Sequence, residues 1–448
     1  MQGIEQLRER AEYVLSMSPA DETEVVLIVS DEQLTRFANN EVHQNVAETN
    51  VEVRVRVALG SRVGLATSNS LHNDALRLLI DNAIRLAQAQ PENEEWPGLP
   101  EPGAPPTDVN GFAHATASAS PRIRAEAVER VTRPAHQAHC IASGALSTAA
   151  HELVVANTKD LFVYYPWTQA NFVTVAMGEG GTGSGYASAT HTDINCLDIE
   201  ALGGEAIRTA VASQNPMELE PGKLDVVLDS YAVADMVAFL ATLGLNGAAL
   251  VEKRSFATGR MGEKVTGEKV TLVDDGMAEG TLPMPIDFEG VTRQRLPLIE
   301  KGIVQNVAWD HFWARKGGTT STGHALPAPN NWGPRPIHLH MTAGETPRAD
   351  LIKGMKRGLL VTRFNYTRVV HPLKTIVTGL TRDGTFLVED GQIVGPVKNL
   401  RFTENYLEAL SRVEDISAER RLLSGFFGAS LVPAVRIRDF TFTGKTQF

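Results

Sequence analysis

Hydrophobic and polar positions change period several times along the chain, and each change marks an element. Ile4, Leu7, Ala11, Val14 and Leu15 share one face at helical spacing, so the chain is expected to open with an amphipathic helix. The unbroken run Val25 to Val29 reads as a buried strand, and the polar, Asn-rich run Leu34 to Val46 as a twisted strand pair turning at Asn39 and Asn40. Val51, Val53, Val55 and Val57 alternate with Glu52, Arg54 and Arg56, the period of a strand with one buried face. Gly60 and Ser61 turn it into a second strand, Val63 to Thr67. A helix follows from about Leu71 to Gln88, with Asn69 and Ser70 as expected caps. Residues 91 to 106, rich in Pro, Glu and Gly, read as an exposed linker.

Ser120 and Pro121 open another helix, which Pro134 is expected to kink or split. Short strands are expected at Leu153 to Ala156, Leu161 to Tyr165 and Phe172 to Ala176, then a Gly-rich loop at 178 to 185. That loop lacks the strand-to-helix setting and the Lys-Ser or Lys-Thr of a phosphate cradle. Asp198 caps a helix reaching about Gln214, and Pro216 to Gly222 forms a boundary. Val226 to Leu228 then leads as a strand into a helix that Ser230 is placed to cap and Gly244 to end. Along that helix every side chain from Tyr231 to Leu243 is apolar or aromatic except Asp235 and Thr242, so it is expected to be buried. The remainder is strand-like. Asp383-Gly384 and Asp390-Gly391 read as hairpin turns between Lys374 to Leu380, Thr385 to Glu389 and Gln392 to Val394, and Ala434 to Thr443 alternates with one slip that fits a bulge. The expected fold is α+β, an N-terminal α/β region with antiparallel or mixed sheets followed by a β-dominated C-terminal domain. Units are expected at 1–90, 120–215 and 222–448, with a linker at 91–119.

A chain of 448 residues exceeds one ordinary core, which fits several units. Its net charge of −11 argues against nucleic acid or an anionic membrane as partner. Two cysteines make no disulfide framework, and the charged start MQGIEQLRERAEYVL does not resemble an export signal, so a cytoplasmic location is expected. Tyr231 to Val251 is the one span long enough to suggest a membrane helix. Asp235 within it would cost about 2.5–3.5 kcal/mol near mid-bilayer, which favours a core element.

Candidate chemistry is sparse. His136, His139 and Cys140 form a cluster beside Pro134 with no fourth ligand nearby, and helical residues three apart share a face for packing alone. His151-Glu152 begins like a zinc-protease motif, but no second His follows around Ala156. His338 and His340, in PIHLHM, point to one side of a strand and are the best pair for a metal, set against the plainer reading of histidines on a wet strand face. A serine nucleophile elbow is absent, and Ser424-Gly425 alone does not make one.

Together these segments resemble the TldD/PmbA family, bacterial and archaeal proteins long labelled modulators of DNA gyrase and later recognised as metallopeptidases. The resemblance covers nearly the whole chain. It rests on TRFANNEVHQN and GSRVGLATSN in the first unit, and on RSFATGRMGEKVTGEKVTLVDDG, DFEGVTRQRLPLIEKGIVQN, STGH at 321 to 324 and DGTFLVEDGQIVGPVKNLRF in the last. Catalytic members carry His-Glu-x-x-x-His just upstream of the block that begins here at Ser255, followed by a Gly-Leu-x-Gly step, here Gly244-Leu245-Asn246-Gly247. Counting back places the two His positions on Ala238 and Leu243 and the Glu on Phe239. The third ligand of the family, a Cys, is expected near Gly425 to Ala429, and no Cys follows Cys196. A catalytic zinc needs about three protein ligands and a base for its water, which Ala, Phe and Leu cannot supply. Those positions are expected to be ordinary core.

The departure matches the PmbA or TldE type. The resemblance therefore implies a non-catalytic, peptide-binding subunit of a zinc metallopeptidase complex, with no cofactor of its own and zinc in a catalytic partner. That partner would be a TldD-type paralogue in a heterodimer, or a second copy in a homodimer, and the ligand an unstructured peptide bound as an added strand. Two other classes stay open: a self-sufficient peptidase with a displaced metal, such as one on His338 and His340, and a partner-binding protein without any enzyme.

Overall fold

The computed structural model describes residues 1–104, 108–425 and 428–446. The N-terminal half holds α1 (Ile4–Met17), β1 (Glu22–Ala38), β2 (Glu41–Leu59), β3 (Arg62–Ser68), α2 (Asn73–Ala89), α3 (His114–Ala117), α4 (Pro121–Gln137), β4 (Cys140–Asn157), β5 (Phe162–Gly178), β6 (Ser184–His191) and α5 (Ile199–Ala212). Its six strands form one antiparallel sheet in the order β3-β2-β1-β4-β5-β6, so residues 1–90 and 120–215 contribute three strands each to a shared layer. Asn39 and Asn40 both take positive φ, 53° and 64°, and make the tight turn between β1 and β2; Asn adopts this conformation more readily than most residues.

The helices cover one face of that sheet. Leu7, Ala11 and Val14 of α1 and Leu76, Ile80 and Ala83 of α2 pack on Val25, Leu27 and Val55, while Val128 and Val131 of α4 and Ile207 of α5 pack on Phe37, Leu146 and Phe172. Of the opposite face, one end is buried: Val26, Leu153, Val155 and Tyr165 meet Met284 and Ile286 from the C-terminal half, and Tyr165 donates to the Pro283 carbonyl at 2.9 Å. The other end stays open.

The C-terminal half holds β7 (Lys223–Leu228), α6 (Ser230–Leu243), α7 (Gly247–Val251), β8 (Leu272–Asp274), β9 (Leu296–Glu300), β10 (Ile303–Val304), α8 (His311–Gly317), β11 (His338–Met341), β12 (Arg357–His371), β13 (Ile376–Glu389), β14 (Gln392–Pro396), β15 (Leu400–Asn405), α9 (Tyr406–Ser411), β16 (Val413–Ser424) and β17 (Ala429–Lys445). Its eleven-stranded mixed sheet follows the order β10-β9-β8-β11-β17-β15-β13-β12-β7. Because β7 also pairs with β17, five of these strands close into a ring. Phe364, Phe402, Phe440 and Tyr406 form a cluster of ring contacts, tilted, stacked and edge to face, in the same core as the buried side of α6. The architecture is α+β, and among the described residues no helix is long and apolar enough to cross a membrane.

Several local expectations are corrected. The expected short strands at 153–176 belong to two long ones, β4 and β5, whose polar residues Ser147, Thr148, Gln169 and Asn171 are strand positions that hide the alternation. Pro134 neither splits nor ends α4, because it sits in the last turn, where few backbone bonds remain to be lost. Helix α2 begins after His72, with Ser70 Oγ accepting from the His72 N–H at 3.3 Å rather than capping the helix itself. Asp383-Gly384 is not a turn: it lies inside β13 at an irregularity opposite β12, with φ of 53° and 115°. Asp390-Gly391 does turn β13 into β14, and the slip in β17 is an irregularity at Asp439, whose φ is 50°.

Candidate functional site

Helix α6 starts one residue before the position read from sequence. Asp229, not Ser230, is its N-cap: its Oδ1 accepts from the Ser230 N–H at 2.7 Å, and its carboxylate also receives Arg348. Gly244 ends the helix, its N–H donating to the Leu240 carbonyl, and adding a Cβ there would meet the Phe256 ring at 2.2 Å. Anchored at both ends, α6 buries Val233, Met236, Val237, Leu240 and Ala241 against Val435, Ile437 and Phe440.

Its other side is only partly covered: Phe239 packs on the core cluster, as the expectation of ordinary core has it, whereas Ala238 does not. Ala238 is exposed, and Phe239 and Leu243 are half-buried. The Phe239 ring meets the edge of Tyr406 with centroids 6.0 Å apart. Ala234, Asp235 and Ala238 line a cavity of about 230 Å³ together with Tyr186, Tyr231, Phe364 and Arg363. Ser424 and Gly425, where β16 ends, lie on its wall. Thus the Ala238 position and the start of the segment 425–429 border one space; Phe426 and Phe427 of that segment lie outside the described residues.

Asp235 is the carboxylate of this wall. Thr367 Oγ1 donates to one oxygen at 2.7 Å and the Tyr406 hydroxyl to the other at 3.0 Å. Burial pushes its carboxyl up to about 6, against the pull of those two hydroxyls. The arginines nearby are committed elsewhere. Arg363 binds Asp383 at 2.6 Å and lies over the Tyr186 ring at 4.2 Å, while Arg421 binds Glu205 at 2.8 Å, contacts the Tyr231 hydroxyl and lies over its ring.

Ser424 also borders a second, larger space, a trough of about 570 Å³ on the open end of the N-terminal sheet. Its floor carries Glu32 and Arg36 from β1, Gln44 and Glu48 from β2, Ser147 and His151 from β4, and Gln169 and Asn171 from β5. Gln169 Nε2 reaches Ser424 Oγ at 3.5 Å, where the trough meets the cavity. His151 stacks on Trp167 and is pushed down to about 4 by burial, opposed by Asp31, so it is neutral at pH 7. Alongside the trough, β3 pairs with β2 only from Val53 to Leu59. The outer edge of β2 from Glu41 to Glu52 therefore has no strand neighbour among the described residues.

His338 and His340 do not sit on a wet face. His338 is buried, its backbone N–H donating to Asp274 Oδ2 at 2.8 Å, and burial and Arg293 push its ring down to about 3; His340 is half-buried and also lowered, by burial first. The polar partner sequence reasoning missed is His324 of the STGH block, wholly buried, with Nε2 3.0 Å from Asp274 and Nδ1 2.9 Å from Thr322. Among the described residues, no three His, Cys, Asp or Glu side chains are grouped to hold a metal. His139 pairs with Glu179 on the surface away from buried Cys140, and His151 and Glu152 serve separate contacts, Glu152 accepting from the Gln2 and Gly3 N–H groups.

Family models match in three consecutive blocks: PmbA/TldA metallopeptidase domain 1 over residues 23–87, the central domain over 105–214, and the C-terminal domain over 221–444, half the chain by itself. The chain belongs to the PmbA/TldD metallopeptidase family. Relatives carry both family names. It is 28% identical over 290 residues to the metalloprotease TldD homolog of Haemophilus influenzae, covering 60% of this chain and 58% of that one. It is 24% identical over 243 residues to the metalloprotease PmbA of Escherichia coli O157:H7, covering 53% and 51%. The chain thus spans a little over half the length of these curated relatives. Among solved structures it shares its fold with TldE from Thermococcus kodakarensis, at TM-score 0.90 and 24% identity over 98% of this chain and 100% of that one. A Thermotoga maritima protein described as a putative modulator of a DNA gyrase gives 0.88 and 18% over 98% and 100%.

The family description implies a metal, and the residues around α6 do not fit one. Ala238, Phe239 and Leu243 offer no ligand atom, no His lines the cavity, and both oxygens of Asp235 already accept hydroxyl protons.

Proposed function

We propose that this chain is the non-catalytic, peptide-binding subunit of a cytoplasmic zinc metallopeptidase complex that processes unstructured peptides. The observation that carries the reading is the α6 cavity. The family's C-terminal domain model spans α6, yet apolar side chains stand at 238, 239 and 243, and Asp235 is tied down by Thr367 and Tyr406. Hydrolysis would then occur on a TldD-type partner, as a heterodimer, or fall silent in a homodimer.

The trough and the free edge of β2 support the peptide half of the reading. An extended chain laid along unpaired N–H and C=O groups gains main-chain hydrogen bonds whatever its sequence, and the trough beside that edge offers polar side chains to peptide crossing the face of the sheet. An unstructured segment has its whole backbone free to pair along such an edge, so the arrangement favours unstructured segments.

The test is reconstitution. The purified chain should leave an unstructured peptide intact, and cleavage should appear when a relative with an intact His-Glu-x-x-x-His helix is added. Cleavage by that relative at the same rate with and without this chain would remove any subunit role.

A further inference from the structure

In the α6 cavity stands a carboxylate, Asp235, that makes no ion pair among the described residues. It is half-buried there, and only two neutral hydroxyls, from Thr367 on β12 and Tyr406 on α9, stabilise its charged form. Arg363 of β12, the cation that lines the cavity, is held by Asp383 of β13, and Arg421 of β16, which lies over the Tyr231 ring, by Glu205 of α5. The cavity walls next to Asp235 are aromatic, with Tyr186 and Tyr231 edge to face at 5.0 Å and Phe364 beside them. At about 230 Å³ the space suits one long side chain rather than a whole small-molecule ligand, for which about 300–1,000 Å³ is usual.

We propose that this cavity is a subsite for one cationic side chain, lysine or arginine, of a peptide lying in the trough, with the Asp235 carboxylate as its counter-ion. Entry from the trough passes Ser424, which borders both spaces. The trough itself leans the same way. Glu32 and Glu48 stand directly opposite each other on β1 and β2, an arrangement that costs stability when unbalanced, and among the described residues neither takes part in an ion pair. Arg36 is the one cation on the trough floor, and His151 there is neutral. An aliphatic stem against the aromatic walls and a charged end at Asp235 would satisfy both parts of the site.

This inference rests on the peptide-binding reading, and one experiment separates the two. Labelled Gly- and Ser-rich peptides carrying a single central lysine, norleucine or glutamate are titrated with the full chain, and binding is read by fluorescence anisotropy. A hydrogen bond to a charged group is worth about 1.5–3 kcal/mol, so lysine should bind at least about tenfold more tightly than norleucine, and glutamate most weakly. The lysine advantage should grow from about pH 5 to pH 7 as Asp235 ionises. In Asp235→Asn it should shrink to about twofold with norleucine binding unchanged. Equal binding of the lysine and norleucine peptides to the unaltered chain overturns the cationic subsite and leaves the peptide-binding reading standing. Absence of binding by all three peptides overturns both.

Discussion

Two sets of buried charge in this molecule are handled in opposite ways. Where the N-terminal sheet meets the C-terminal half, Arg56 of β2 binds Glu24 of β1 at 2.7 Å and Glu289 at 3.3 Å, and the other oxygen of Glu289 accepts from the His311 N–H at 3.0 Å. In the α6 cavity, Asp235 has hydroxyl donors and, among the described residues, no ion pair. The first set pairs its cation with two carboxylates across the two halves and works as a joint. The second is left incomplete at a surface open to solvent, which is how a binding site differs from a structural contact.

The strongest way to break this comparison is at the joint. Arg56→Met strands two buried carboxylates and should cost about 3–5 kcal/mol in denaturant unfolding; a loss below about 1 kcal/mol would show that the joint is not held by that cation. Asp235→Asn should do the reverse. The carboxyl is raised from 3.8 to about 6, so the folded chain binds this proton more tightly than the unfolded one. Stability from that difference is complete below pH 4 and is lost as pH climbs through 6. At pH 8 the neutral variant should be more stable than the parent by about 2–3 kcal/mol, and at pH 4 equal to it. Asp287 and Asp310, pushed up to about 7 by burial and then by Glu289, titrate in both proteins and cancel in the difference.

Thr367→Val sharpens the same point more gently. Removing one hydroxyl from a carboxylate without a cation should cost about 1–2 kcal/mol at pH 8 and little at pH 4, read from paired thermal melts. The smallest effect belongs to the surface. Arg122→Ala, which opens the exposed pair with Glu126, should change stability by no more than about 0.5 kcal/mol.

What was legible in the sequence was local. The Asn39-Asn40 turn, the Asp198 cap, the Asp390-Gly391 turn and the irregularity in β17 each follow from the backbone preferences of one or two residues. The errors arose where tertiary context decides. Asp383-Gly384 has the composition of a turn, but buried Asp383 is gripped by Arg363 and Ser184 and the strand runs on through it. Apolar Ala238 looks like core, yet it borders the cavity beside Ala234 and Asp235, while Phe239 does pack, half-buried, against the core cluster that holds the other side of the helix. The missing ligands at those positions could be read directly, whereas the isolation of Asp235 could not. It depends on Arg363 and Arg421 finding partners elsewhere, and the joint pairs Arg56 with a residue 233 positions away.

The central claim is tested most directly by the metal content of this chain alone, expressed with zinc present and purified without chelator, measured by mass spectrometry beside a peptide-cleavage assay on the same sample. The expected result is no stoichiometric transition metal and no cleavage. One tightly held ion per chain, with peptide hydrolysed in the absence of any relative, would contradict it.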